Sequence, residues 1–200
     1  MRMTVELNPL PQAVFLFVLA CWFLFAGIFL LRKKPPKAPE SKRDRASLVG
    51  IVMQGFGFGV VWSLRRQYFT PLVAMPRPLE IALAIFTVAL PIASCWLVLA
   101  AVRTLGKQWA FVARVVEGHK LIVEGPYKIV RNPIYLGMFG MLLATGLAVS
   151  RWWAILLAIV LFLIGTSIRI RSEEKLLRES FGEEFEAYAR RVPALFPRSF

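Results

Sequence analysis

The sequence predicts an all-α integral membrane protein with about five transmembrane helices. The last two form a tight hairpin, and a cytoplasmic loop and a C-terminal amphipathic helix build a site beside it. Three observations carry this expectation. The chain is 58% hydrophobic over 200 residues, with a mean hydropathy of +0.61, whereas soluble domains hold ~45–50% apolar residues. Its apolar runs have the length needed to cross a ~30 Å hydrocarbon core. Its basic residues fall between and after those runs, where anionic lipid headgroups lie.

The elements follow in order. The first run, Val14 to Leu31, is uninterrupted and is stopped by Arg32-Lys33-Lys34. With only Arg2 ahead of it and no small-residue cleavage site behind, it reads as a retained helix and not a signal peptide. Pro35-Pro36-Lys37-Ala38-Pro39 cannot be helical and reads as an extended spacer. The second run, Ala46 to Ser63, carries Gly50, Gly55, Gly57 and Gly59, small residues that permit close helix packing. The third, Leu79 to Val102, contains Pro91 as an expected kink, with Glu80 at the interface. The fourth, Ile134 to Val149, and the fifth, Trp152 to Ile168, are separated by Ser150-Arg151 alone, which forces an antiparallel hairpin. Beyond Glu173 the composition becomes that of a soluble segment. There Leu177, Phe181, Phe185, Tyr188 and Val192 recur at helical spacing and make one apolar stripe, with a break expected near Gly182. This helix would lie on the membrane surface, cover the site or pack on the bundle.

Orientation follows from charge. Of the 25 lysines and arginines, seven lie within 32–45, six within 103–131 and seven from 169 onward. The opposite loops hold only Arg2, Arg65, Arg66, Arg77 and Arg151. This asymmetry predicts an N-terminus outside and a C-terminus in the cytoplasm. The net charge of +13 is thus explained by membrane flanks, and no soluble basic face with interleaved aromatics suggests nucleic acid. Cys21 and Cys95 sit inside apolar runs, and His119 is the single histidine, so neither a disulfide nor a metal site is expected.

Two polar clusters flank the hairpin on the expected cytoplasmic side. The first is the loop from Gly118 to Tyr135, which includes Gly125-Pro126-Tyr127 and Arg131-Asn132-Pro133-Ile134-Tyr135. Its glycines and prolines predict a compact, non-helical loop with backbone amides and carbonyls available to a polar ligand. Asn132 and Pro133 suit the N-cap and first turn of the fourth helix. The second cluster is Arg169-Ile170-Arg171-Ser172-Glu173-Glu174. Arg169 and Glu173 are four apart and share a helix face, and ionisable groups at a membrane boundary are commonly functional. Arg171 and Glu174 would be their solvated counterparts. The hairpin returns Arg169 and Glu173 towards Asn132 and Tyr135.

These motifs, in this order and with a hairpin between them, resemble the isoprenylcysteine carboxyl methyltransferase family and its phospholipid methyltransferase relatives. The likeness covers about His119 to Pro197 and includes Phe181-Gly182-Glu183-Glu184-Phe185 with Tyr188 following. It implies an enzyme that uses S-adenosylmethionine, with a single membrane-embedded domain over residues 1–200. Residues 1–117 would supply three spans and their loops, and 118–200 the cofactor-binding and catalytic half. By resemblance His119, Lys120, Leu121, Ile122, Tyr127, Asn132, Pro133, Ile134, Tyr135 and Glu173 contact the cofactor. Arg169 faces the carboxylate of a lipophilic or lipidated acceptor. The chain departs from the eukaryotic members in carrying Asn132 where they usually have His; Asn keeps a hydrogen bond and a cap but cannot be charged. The expected reaction is O-methylation of a prenylcysteine-like carboxylate. A carboxylate is already ionised at neutral pH, so the protein must chiefly orient the reactants and supply a guanidinium fork. A phospholipid amine or a small thiol as acceptor, a membrane reductase of similar layout, and a non-catalytic carrier or accessory subunit are the alternatives. A carrier would be marked by ionisable residues in mid-membrane, and the five spans hold almost none.

Overall fold

The computed structural model describes residues 9–31, 46–66, 72–106 and 121–197, together with the backbone of 40–43 and 114–116. His119, Lys120 and the proline-rich spacer lie outside the described residues. The elements are helix α1 (Pro9–Leu30), strand β1 (Glu40–Arg43), α2 (Ala46–Ser63), α3 (Arg77–Leu105), β2 (Arg114–Val116), α4 (Pro133–Val149), α5 (Trp152–Phe181) and α6 (Glu183–Arg191). Helices α1, α2, α3 and α5 are long and apolar enough to cross a membrane, and α4 is a shorter apolar helix of 17 residues. The all-α membrane architecture is therefore as expected, with one addition. Strands β1 and β2 pair antiparallel, Glu40 opposite Val116 and Arg43 opposite Arg114, and tie the segments before α2 and after α3 together.

Each long helix is apolar on most sides, so packing and not amphipathicity decides which residues meet. Helix α2 lies along α5, α3 lies along α4, and α1 packs on α3 and α4. The first three helices thus interleave with the last two. Side chains such as Phe23, Ile85, Trp96 and Leu156 point outward, the arrangement of a bundle that faces lipid. Inward, Val18 meets Ala144, Val98 meets Met141, and Val61 meets Phe162 and Leu142. Trp22 Nε1 donates to Thr145 Oγ1 at 2.9 Å, joining α1 to α4. Close approach of α2 and α5 depends on missing side chains. A Cβ on Gly165 would stand 2.7 Å from the Gly50 carbonyl oxygen, and one on Gly57 would stand 3.0 Å from that of Ala158. This is the small-residue packing that the glycines of the second run predict.

Helix α3 runs through Pro91 without interruption, and Pro91 is buried. Helix α5 does not stop at Ile168, where the apolar run ends, but continues to Phe181. It breaks at Gly182, whose φ of 50° is cheap only for glycine, and α6 turns back so that Phe185 and Tyr188 of the apolar stripe are buried. At the opposite end of the bundle the α4–α5 turn is clamped. Arg66 donates to the carbonyls of Leu147, Ala148 and Ser150, each at 2.8 Å, and Ser150 Oγ donates to the Val61 carbonyl at 2.6 Å.

Candidate functional site

The antiparallel chain path brings five termini to one end: those of α1, α3 and α5 that finish there, and those of α2 and α4 that begin there. The polar clusters meet at this end. Tyr135, in the first turn of α4, donates its hydroxyl to Glu173 Oε1 on α5. The Arg169 guanidinium lies 4.8 Å from the centroid of the Tyr135 ring, close enough for a cation–π contact. Arg169 Nη2 is 3.6 Å from Glu173 Oε1, an ion pair without a direct hydrogen bond. The third helix to contribute is α2: Arg169 Nη1 donates to Gln54 Oε1 at 3.2 Å, and Gln54 Nε2 donates to Thr166 Oγ1 at 2.8 Å. Arg169 is 7% exposed and Gln54 2%, while the Glu173 side chain keeps 27% of its surface. The result is a largely dry cation with one carboxylate reaching towards water. Ser47 and Ser172 extend the same α2–α5 interface by one turn, and their buried hydroxyls have no hydrogen-bond partner among the described residues.

A second polar network lies beside the first. Arg131 Nη2 and Nε reach Glu174 Oε1 at 2.6 and 2.9 Å. Its Nη1 donates to the carbonyls of Ala189, at 2.9 Å, and Val192. Glu174 also accepts from Arg178 at 3.2 Å, and Arg178 reaches Glu186 on α6 at 2.7 Å. Glu174 is thus 7% exposed and is not the solvated residue that its sequence position suggests; Arg171 is exposed as expected. The apolar stripe turns the chain back over the loop, and that return makes a dry partner for Arg131.

The loop itself is short and irregular except for a 3₁₀ turn over Gly125–Lys128. Gly125 opens it with φ of 56°, and a Cβ there would stand 2.8 Å from Thr104 Oγ1, which seats the loop against the end of α3. Tyr127 is buried, and its carbonyl accepts from Tyr188 Oη at 2.7 Å. Burial pushes the Tyr188 hydroxyl up to about 12, so it remains a donor at neutral pH. Pro133 is the first residue of α4, as the sequence indicates, and Asn132 stands at the N-cap. The Asn132 side chain, however, makes no capping bond; it donates through Nδ2 to the Ala194 carbonyl at 2.9 Å. The backbone amides of Arg131 and Asn132 donate to Pro193 and Ala194 at 2.9 and 3.1 Å, so the returning C-terminal segment lies as a strap across the start of α4.

Of the residues singled out in the sequence, Tyr135, Arg169 and Glu173 form one contact cluster. Tyr127, Asn132 and Pro133 border it through the loop, Leu121, Ile122 and Ile134 are half-buried around that loop, and His119 and Lys120 lie outside the described residues. Sequence reasoning missed Gln54 and Thr166, and it did not pair Arg131 with Glu174. A lone amide in the middle of an apolar run was the available signal for Gln54.

Comparison with known proteins adds the following. The model of the phospholipid methyltransferase family matches residues 82–184, from within α3 to the start of α6. Nickel-cobalt-cadmium resistance protein NccN of Alcaligenes xylosoxydans xylosoxydans is 38% identical over 99 residues, which cover 48% of this chain and 45% of that protein. Protein-S-isoprenylcysteine O-methyltransferase B of Arabidopsis thaliana is 33% identical over 100 residues, 48% of this chain and 50% of that protein. The protein-S-isoprenylcysteine O-methyltransferase of Schizosaccharomyces pombe is 34% identical over 79 residues, 40% of this chain and 34% of its own. The chain spans about half the length of the curated relatives it matches. Helices α1 and α2 lie outside the residues matched by the family model.

Proposed function

Because this chain belongs to the phospholipid methyltransferase family, we propose that it transfers a methyl group from S-adenosylmethionine to a lipophilic acceptor at the cytoplasmic membrane face, and that the acceptor group is a prenylcysteine-like carboxylate. The observation that carries this reading is the state of Arg169. Its guanidinium is buried at the membrane-side end of the polar cluster, yet its ion pair with Glu173 is loose at 3.6 Å. A planar fork held in a dry place, with its own carboxylate 3.6 Å away, suits a carboxylate brought by a ligand. An amine acceptor would bring a proton-binding group beside a fixed cation, which favours the carboxylate over a phospholipid amine.

The donor groups present fit the cofactor. Glu173 offers a carboxylate to amino or ribose hydroxyl groups, Tyr135 fixes that carboxylate through its hydroxyl, and Ser172 beside it holds a buried hydroxyl without a partner among the described residues. Tyr127, Asn132, Pro133 and Ile134, with His119, Lys120, Leu121 and Ile122 before them, would line the cofactor's side of the loop. When bound, S-adenosylmethionine supplies a methyl group activated by its sulfonium. The acceptor carboxylate is ionised at neutral pH, so the residues need move no proton. Arg169 orients the acceptor, Glu173 and Tyr135 hold the donor side, and α6 with its strap keeps water from the loop. Positioning is the main contribution asked of the protein. The excess of lysine and arginine in alternate loops supports a cytoplasmic location for this end and an N-terminus outside.

Calorimetry on the detergent-solubilised protein tests the reading. Wild type should bind S-adenosylmethionine, and Glu173→Gln and Tyr135→Phe should each weaken binding by about tenfold, the effect of one lost hydrogen bond to a charged group. Wild-type affinity in both variants would place the cofactor elsewhere.

A further inference from the structure

We infer that Gln54 of α2 is a positioning residue that sets the specificity for a carboxylate, by holding the Arg169 guanidinium away from Glu173. The inference rests on the carboxylate reading above and deepens it. A buried arginine one helical turn from a glutamate on the same face is placed to close on it. Here it does not close. Nη2 stops 3.6 Å from Glu173 Oε1, while Nη1 is taken by Gln54 Oε1 of a different helix at 3.2 Å. Tyr135 completes the restraint: its hydroxyl takes Glu173 Oε1, and its ring lies 4.8 Å from the guanidinium.

Three features make Gln54 able to do this. Its amide has one orientation, because Nε2 donates to Thr166 Oγ1 at 2.8 Å and the carbonyl must then face Arg169. Thr166 is fully buried and Gln54 is 2% exposed, so water does not substitute for either. Gly50, one turn before Gln54, leaves room for the aliphatic stem of Arg169, since a Cβ there would stand 2.4 Å from Arg169 Cγ. Helix α2 is thus shaped around Arg169 at two successive turns, by an absent side chain and then by an acceptor.

The test measures binding of a prenylcysteine carboxylic acid and of its methyl ester to wild type, Gln54→Leu, Thr166→Val and Thr166→Ser. Wild type should prefer the acid. Gln54→Leu should lose that preference by about 10–100-fold, the effect of releasing a hydrogen bond to a charged group, because Arg169 closes on Glu173. Thr166→Val should lose part of it, and Thr166→Ser, which restores the hydroxyl while leaving a smaller side chain, should recover it. Simple loss of packing would weaken acid and ester equally and would affect Thr166→Ser at least as much as Thr166→Val; that pattern overturns the proposal. So does an unchanged preference in Gln54→Leu, or in Thr166→Val if the Gln54 variant does not fold. A wild type that binds acid and ester alike overturns the carboxylate reading itself, whatever the variants do.

Discussion

Two arginines in this bundle, Arg169 buried and Arg131 half-buried, face neighbouring glutamates of α5, and they are held in opposite ways. Arg131 is tightly held: it makes two bonds to one oxygen of Glu174 at 2.6 and 2.9 Å and donates to the carbonyls of Ala189 on α6 and Val192 just after it. Arg169 stands 3.6 Å from Glu173, bonds the Gln54 amide and lies over the Tyr135 ring. Glu173 and Glu174 are adjacent, so their side chains leave the helix about 100° apart and enter different surroundings. The contrast separates two uses of the same residue types. A charge bound through two nitrogens to a carboxylate and tied to a returning strap closes a structure, whereas the proposed function asks of Arg169 that it also meet a ligand.

The largest break in this comparison should come from Arg131→Ala. It leaves Glu174, at 7% exposure, with only the half-exposed Arg178 among the arginines that bond it and frees the strap, so the detergent-solubilised protein should lose about 3 kcal/mol of stability, near the low end of the usual cost of removing one partner of a buried pair. A thermal midpoint equal to wild type would show that the network is not structural. Arg169→Lys keeps the charge and removes the fork. Methyl transfer should fall about 10–100-fold, equivalent to ~1.5–3 kcal/mol, while the thermal midpoint stays near wild type. Equal transfer, or transfer lost only in step with stability, would make Arg169 another closure of the Arg131 kind. The smallest effect should come from Arg178→Ala. That side chain is 46% exposed, and an exposed pair contributes under about 1 kcal/mol. A loss comparable with that of Arg131→Ala would mean that Glu174 depends on both arginines, and the division drawn above would need revision.

The helices themselves were legible because hydropathy reports membrane depth. The second run and α2 share the bounds Ala46 and Ser63, and the two-residue link fixed the α4–α5 hairpin. Where polarity changes but helix does not, hydropathy falls silent and helical spacing takes over, as at Arg169 and Glu173 and in the stripe that breaks at Gly182. Residues beyond Ile168 are charged yet good helix formers, so α5 continues to Phe181 although its apolar run has ended. Local chemistry found the position of Asn132 but not its bond. The N-cap preference is local, whereas the Ala194 carbonyl that captures its amide arrives from 62 residues away. Arg131 and Glu174, 43 residues apart, were illegible as a pair for the same reason. The short, charged strands β1 and β2 lacked any alternating pattern from which pairing could be read. Gln54 stood in plain view inside an apolar run, but its purpose depends on which helix lies opposite.

The clamp on the α4–α5 turn has a mechanical consequence. Arg66 rivets the C-terminal end of α4 and its cap Ser150 at one extremity, and α4 packs on α5 less extensively than α2 does. With the Ser150-Arg151 link as pivot the pair is laid out as tongs, so any change in the α4–α5 angle is felt most at the far end. Over the ~25 Å of a helix of 17 residues, a tilt of about 5° moves the free end by about 2 Å. That displacement is enough to part the Tyr135 hydroxyl from Glu173, the contact that bridges the jaws. The Gln54–Arg169 bond belongs to the closely packed α2–α5 pair and travels with one jaw, unbroken.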